Sequence, residues 1–330
     1  MQIKGFINYL YFLFMEKEIK SYIDKSKSHI TALKYDISSN YNMPDFGHLT
    51  VQIERFKQTF KENFTEEQNT RMLYYLSSLS IKEQNIKLKF QSIISVGSYD
   101  SLNNSITLNH FENGDIYYDL EEVLVHELLH MASTNYSITG EKSGFDLYGI
   151  IGEKLNEGYT EYLTQKYFTK GYKYTESNDN FLFLAKGIEN IIGRERMQEY
   201  YFASDINSLI NALAKYISRD DAIKLIYLID MLPPTPIKSK EFDYLVKKIS
   251  YINGIKLDKD LEVGLISKRQ YEEQYAIKVR EYRMYQIWSE DTQVLGDENV
   301  FILKDHQYES KLYDRKEMLK KAQTFKKTLY

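Results

Sequence analysis

The amino-acid sequence predicts an α+β fold that is mainly helical, and three observations carry that expectation. Chain breakers are scarce, 15 Gly and 4 Pro in 330 residues, which favours long helices over a turn-rich all-β design. Apolar residues recur at helical spacing through 51–79, 147–168 and 181–252. The period shortens towards alternation from Ile86 to Val96, and Ser105 to Leu108 follows the turn-forming run Asp100-Ser-Leu-Asn-Asn104, which reads as a strand, an Asx-type turn and a second strand.

Taken in order, residues 1–45 read as helix with a polar loop near Ser38 to Pro44. Gly5 to Met15 is apolar apart from Asn8, too short to span a bilayer, and is followed by charges rather than a small-residue cleavage site. We expect a buried helix reaching about Ile23, with a membrane-surface anchor or export signal as the alternative. Thr65 with Gln68 resembles a capping box that restarts the helix broken near Asn63. Asp119 with Glu122 is a candidate N-cap for an apolar helix through Met131, and a polar loop from Ser133 to Gly144 precedes the next helix. Pro233 to Pro236 interrupts the later helical region, 279–303 resembles a hairpin, and a basic helix follows from Asp314. Three regions are expected: a helical 1–80, a core over 81–175 and a helical lobe over 176–330.

Composition narrows the chemistry. A hydrophobic fraction of 43% beside 27% charged residues is that of a soluble globular chain. A net charge of −4 supplies no field for nucleic acid, so no nucleic-acid partner is expected. Thirty Tyr against one Trp suggest a core boundary built from half-wet rings. Cysteine is absent, which excludes disulfides, thiolate zinc sites and thiol nucleophiles; any metal must use carboxylates and the six His.

The informative stretch is Val125-His-Glu-Leu-Leu-His130-Met131. On a helix, His126 and His130 stand one turn apart on one face and can aim at a single ion, while Glu127 reaches the same cleft. The helix is apolar nearly all round, so it is expected to be buried. Two unpartnered imidazoles and a carboxylate there would be costly, and a metal resolves all three. This is the His-Glu-x-x-His pattern of the zincins.

Downstream, Asn156-Glu-Gly-Tyr-Thr-Glu161 begins its acidic residues 27 positions after His130. Together the two stretches resemble the gluzincins, the zincin branch that includes thermolysin-like peptidases. Ser133 and Tyr136 stand where a metzincin would place Gly and His. The resemblance spans about 99–166. It implies a zinc-dependent metallopeptidase with Zn2+ on His126, His130 and Glu157. Glu127 would be the general base and acid, and Glu161 and Asn156 would orient the two imidazoles. A small sheet would lead into the metal helix and a helical lobe. Glu153 shares a helical face with Glu157 and stays a rival ligand. The gap between His130 and the Glu is longer than in thermolysin-like enzymes, and Glu161 replaces an Asp. Gly158, costly in mid-helix, suggests close packing of the metal helix against it. Tyr148 resembles the family's oxyanion-stabilising Tyr and is the first candidate for that role, ahead of Tyr159, Tyr200 and Tyr201. His110 could line the cleft or simply occupy a loop. One strand, 92–99 or 105–109, could bind substrate in extended form.

A peptide or protein substrate, a cytoplasmic location and no integral membrane span are therefore expected. The alternative is a catalytically silent zincin-fold protein that recognises a partner segment in the cleft.

Overall fold

The computed structural model describes residues 41–86, 96–111, 120–137, 140–147, 149–168, 179–232 and 240–277. Helix α1 (Thr50–Asn63) buries Ile53, Phe56 and Phe60 along one face, at the spacing that a helix packed on one side requires. It ends at Phe64, and Thr65 opens α2 (Glu66–Leu76) with the expected capping box. The Gln68 amide donates to Thr65 Oγ1 (3.3 Å) and the Thr65 amide to Gln68 Oε1 (3.0 Å).

A three-stranded sheet follows, with β3 (Ser105–Phe111) in the middle. β1 (Ser80–Ile86) pairs with it in parallel and β2 (Gly97–Asp100) antiparallel. The turn and the second strand are as the sequence reads, while the strand leading into them is Gly97–Asp100, just past the expected Ile86 to Val96: Asp100 Oδ1 accepts from the Leu102 amide at 3.0 Å, closing the Asx turn. The other strand is a correction. Pairing starts at Ser80, six residues before the alternation at Ile86, because β1 bonds to β3 on one side only and leaves Lys82 to Asn85 exposed. With only Ile81 among Ser80 to Asn85 packed on the core, the strand leaves little hydrophobic pattern to read.

Helix α3 (Leu120–Ala132) packs on β2 and β3, where Ile106 and Leu108 join Leu124, Leu128 and Leu129 in one fully buried core. The segment expected to be a loop after it is instead a hairpin of β4 (Thr134–Ser137) and β5 (Gly140–Ser143). Polar side chains suggested a loop, but Ser133, Thr134 and Ser143 turn their hydroxyls inward, all three donating to the His130 carbonyl near the end of α3. The next helix, α4 (Glu153–Leu163), starts six residues later than the periodicity from Leu147 implies. Gly152 sits at φ +91°, a left-handed conformation that cannot continue a helix backwards. A π turn (Thr164–Phe168) finishes it.

The helical lobe consists of α5 (Asp179–Ile192), α6 (Arg194–Phe202), α7 (Ile206–Leu213), α8 (Arg219–Asp230) and α9 (Lys240–Glu262). Its rings lock onto the N-terminal helices: Phe202 meets Phe60 and Phe64 with centroids 5.4 and 5.0 Å apart. Half-buried tyrosines line the core boundary as expected, Tyr99, Tyr162, Tyr167 and Tyr200 among them, but some lie deeper. Tyr75, Tyr159 and Tyr201 are fully buried, and the latter two hydroxyls find partners, Glu189 Oε2 and Thr160 Oγ1, both at 2.7 Å. No described helix is long and apolar enough to cross a membrane. The expected helix within 1–40 with its apolar 5–15 segment, residues 87–95 of the expected strand, the Asp119 cap, the Pro233 run, the 279–303 hairpin and the basic terminal helix lie outside the described residues.

Gly158 has a different partner from the expected one. A Cβ there would lie 2.3 Å from the backbone carbonyl carbon and oxygen of Phe181, so the glycine admits α5 against α4 rather than the metal helix. Gly158→Ala should lower stability by about 1–3 kcal/mol because backbone has to move. Gly254→Ala, in α9 with open space around it, should instead raise stability by up to about 1 kcal/mol. Urea denaturation of both variants checks the contrast.

Candidate metal centre

Helix α3 aims one face at α4. Around the turn from Leu124 to Leu129 its side chains are buried, and His126 and His130 emerge one turn apart with rings 12% and 10% exposed. Their Nε2 atoms stand 3.0 Å apart. From α4, Glu157 places Oε2 3.3 Å from His126 Nε2 and Oε1 3.3 Å from His130 Nε2. Tetrahedral zinc with bonds near 2.0–2.2 Å separates its ligand atoms by about 3.3–3.5 Å; each imidazole Nε2 has a Glu157 oxygen at 3.3 Å, a different oxygen for each ring, and the two nitrogens lie closer together than that spacing. A donor set of two imidazoles and one carboxylate is also the chemistry that zinc accepts in sites with a fourth position left open. The Glu157 side chain is 40% exposed, so the triangle opens to solvent on that side. Among the described residues, His126, His130 and Glu157 are the group of three that converges in this way.

The back of each ring is held. Glu161 Oε2 lies 3.1 Å from His126 Nδ1; a carboxylate only accepts, so Nδ1 carries a proton, and Nε2, which faces Glu157, is the nitrogen left to meet an ion once it gives up its own proton. Glu161 is itself fixed by Gln165, whose Nε2 donates to Oε1 at 2.8 Å from within the π turn. His130 is arranged differently. Asn156 Oδ1 accepts from the Phe145 amide at 3.1 Å, which turns its Nδ2 towards His130 Nδ1 at 3.3 Å. Asn156 therefore places the ring but does not, in this orientation, set the tautomer that ligates through Nε2.

The charges are mutually dependent. Burial opposes a charged His126, yet the bonds to Glu157 and Glu161 outweigh it and hold this imidazole well above the usual range. Enclosure likewise opposes ionisation of Glu157 and Glu161, and the imidazoles keep both below the usual carboxylate range. Burial pushes the Glu127 carboxyl up, partly offset by His126 and His130 and by a hydrogen bond from the Tyr99 amide.

That amide shows how the sheet reaches the site. In the β2–β3 register, Ser98 and Asp100 face Thr107 and Ser105, and Gly97 and Tyr99 alternate with them along the outer side of β2. A Cβ on Gly97 would lie 2.9 Å from Glu127 Oε1 and 2.5 Å from Val123 Cγ1, so only glycine lets the strand come this close to the Glu127 carboxylate. The sequence signals a bulge or close approach by a glycine in a strand, but not its partner.

The remaining expectations fall elsewhere. Glu153 is exposed at the start of α4 and is not part of the converging group. Tyr159 points at Glu189, and Tyr201 at Thr160, so neither hydroxyl is directed at the triangle. Tyr200 is half-buried on α6, and Tyr148 lies outside the described residues. His110 pairs with Glu83 across β3 and β1 at 2.7 Å, away from the centre. His48 meets the same Glu83 at 3.2 Å. Gln165 was legible in principle, since an i,i+4 partner of Glu161 shares its helical face.

No protein-family model matches this chain, and no curated protein or solved structure matches it. The site must therefore be argued from its own geometry. On that geometry, Glu161→Ala should weaken zinc binding by about 10–100-fold and Gln165→Ala by less, since Gln165 acts only through the carboxylate it steadies. Competition with a chromophoric chelator measures both.

Proposed function

We propose that this protein is a zinc-dependent metallopeptidase that hydrolyses a peptide or protein substrate. One observation carries the reading: two imidazoles and a carboxylate from two neighbouring helices converge with one ligand atom of each within 4.8 Å of the others, with a second, buried carboxylate, Glu127, on the same helix as the imidazoles.

An ion held by His126, His130 and Glu157 would supply an acidified water and a polarised scissile carbonyl. The chain's own groups do the rest. Glu127 takes a proton from the attacking water onto its carboxylate and hands it to the leaving amine. A carboxyl group raised by burial is suited to both directions of that transfer. Glu161 keeps a proton of His126 on Nδ1, so the opposite nitrogen is the one that would offer its lone pair to the ion. The Tyr99 amide holds Glu127 from the β2 side, and the bare backbone of Gly97 leaves room for its carboxylate. Tyr148 is the candidate hydroxyl for the developing oxyanion, a role that Tyr159 and Tyr201, bonded elsewhere, do not compete for.

Glu127→Gln should retain zinc at one equivalent and lose peptide hydrolysis by at least about 1000-fold, whereas Glu157→Ala should lose the zinc itself. Metal analysis beside a peptide-library digest reads both, and full zinc content in Glu157→Ala would reassign the ligand. A wild-type chain that binds zinc, cleaves nothing and captures one partner would support the silent, segment-recognising alternative. Gly97→Ala gives a separate check. It should cut kcat by about tenfold or more through displacement of the Glu127 carboxylate, with zinc content unchanged.

A further inference from the structure

Helix α4 carries Asn156, Glu157 and Glu161, yet its own N-terminus has no cap. The N-cap residue is Gly152, at φ +91° and without a side chain to accept from the first turn. Sequence change cannot supply one locally, because a Cβ on Gly152 would lie 2.1 Å from the Phe145 carbonyl oxygen. The missing acceptor arrives from the other lobe. Asp230, the last residue of α8, takes the Gly152 amide on Oδ2 at 2.5 Å and the Lys154 amide on Oδ1 at 3.0 Å. Lys154 Nζ closes the joint by donating to the Leu232 carbonyl. A bidentate carboxylate at a helix N-terminus fixes position along the helix axis as well as direction, and the helix dipole favours its charge.

We propose that Asp230 is a positioning residue for the metal centre: by capping α4 from α8, it sets where along its axis that helix presents Glu157 to His126 and His130. The metal part of this inference rests on the reading of the centre given above; the capping part does not.

The surroundings make the cap sensitive to pH. Burial pushes Asp230 up to about 7, against the pull of the two amides; Glu153 from α4 and Asp146 from the preceding loop push the same way, and the Lys154 ammonium lies at the same joint. A protonated carboxyl has one oxygen occupied by its own hydrogen, so one amide loses its acceptor as pH falls through this range. The sign for global stability is opposite. A carboxyl raised on folding holds its proton in the folded chain while the unfolded chain releases it, so Asp230's contribution to stability declines as pH rises from about 4 to about 7. Local order at α4 and global stability should therefore move in opposite directions, which a residue with a merely structural role would not produce.

The test is hydrogen exchange on the full-length, metal-free chain, with zinc affinity measured in parallel by chelator competition. In Asp230→Ala at pH 8, amides 152–157 should exchange about five- to tenfold faster, with smaller changes elsewhere, and Asp230→Asn, which keeps one acceptor, should fall between. Zinc affinity should drop by about tenfold or more in the Ala variant. Ile226→Val, a buried change on the same helix, should lower stability without either effect. In the wild-type chain, protection at Gly152 and Lys154 should fall as pH is lowered from 8 to 6. Unchanged exchange over 152–157 in Asp230→Ala, or a uniform increase along the whole chain, would overturn the proposal. Should that variant not fold, Asp230→Asn decides, and wild-type exchange over 152–157 in it would overturn the proposal. A wild-type chain that takes up no zinc would defeat the reading of the centre, while exchange would still decide whether Asp230 seats α4.

Discussion

The Glu157 carboxylate reaches both imidazoles of α3 at 3.3 Å, one oxygen to each, and this bridge is what couples α3 to α4. Glu161 and Asn156 add a bond from α4 to each ring, and where apolar packing tolerates sliding, a two-oxygen bridge to two fixed nitrogens does not. Everything around the bridge restrains one of its three members. Glu161 and Gln165 hold His126 from behind, and the hydroxyls of Ser133, Thr134 and Ser143 finish the helix at His130. The cost of placing such groups among leucines is met only when each has a partner.

Glycines set the distances at which the surrounding elements approach. Gly97 lets the outer strand come within reach of Glu127, Gly158 lets α5 lie on α4, and Gly152 bends the chain so that an acid from α8 can reach the helix end. None of the three could carry even a methyl group without a clash against backbone or a functional side chain. The site is therefore assembled by backbone approach as much as by the side chains that do the chemistry.

What the sequence reveals follows from how local each feature is. His126, Glu127 and His130 are legible because one helical turn relates them, and Asn156, Glu157 and Glu161 because another does. The capping box at Thr65 and the Asx turn at Asp100 are likewise contained within a few residues. The mainly helical α+β class was readable from scarce breakers. β1 escaped because a one-sided, solvated strand has no apolar alternation, and β4–β5 because inward hydroxyls look like loop residues. Gly158 announced a close approach without naming Phe181. Asp230 was invisible, since nothing at position 230 indicates a bond to an amide 78 residues earlier.

The sheet order has a kinetic consequence. β3 lies between β1 and β2, and its pairing with β2 closes a four-residue connection, whereas its pairing with β1 joins residues some 25 positions apart. Short loops close at a lower entropic cost, so the antiparallel hairpin should form first and offer the template on which the polar first strand is later recruited. The backbone that approaches Glu127 would then be in place before the outermost strand on the far side has docked.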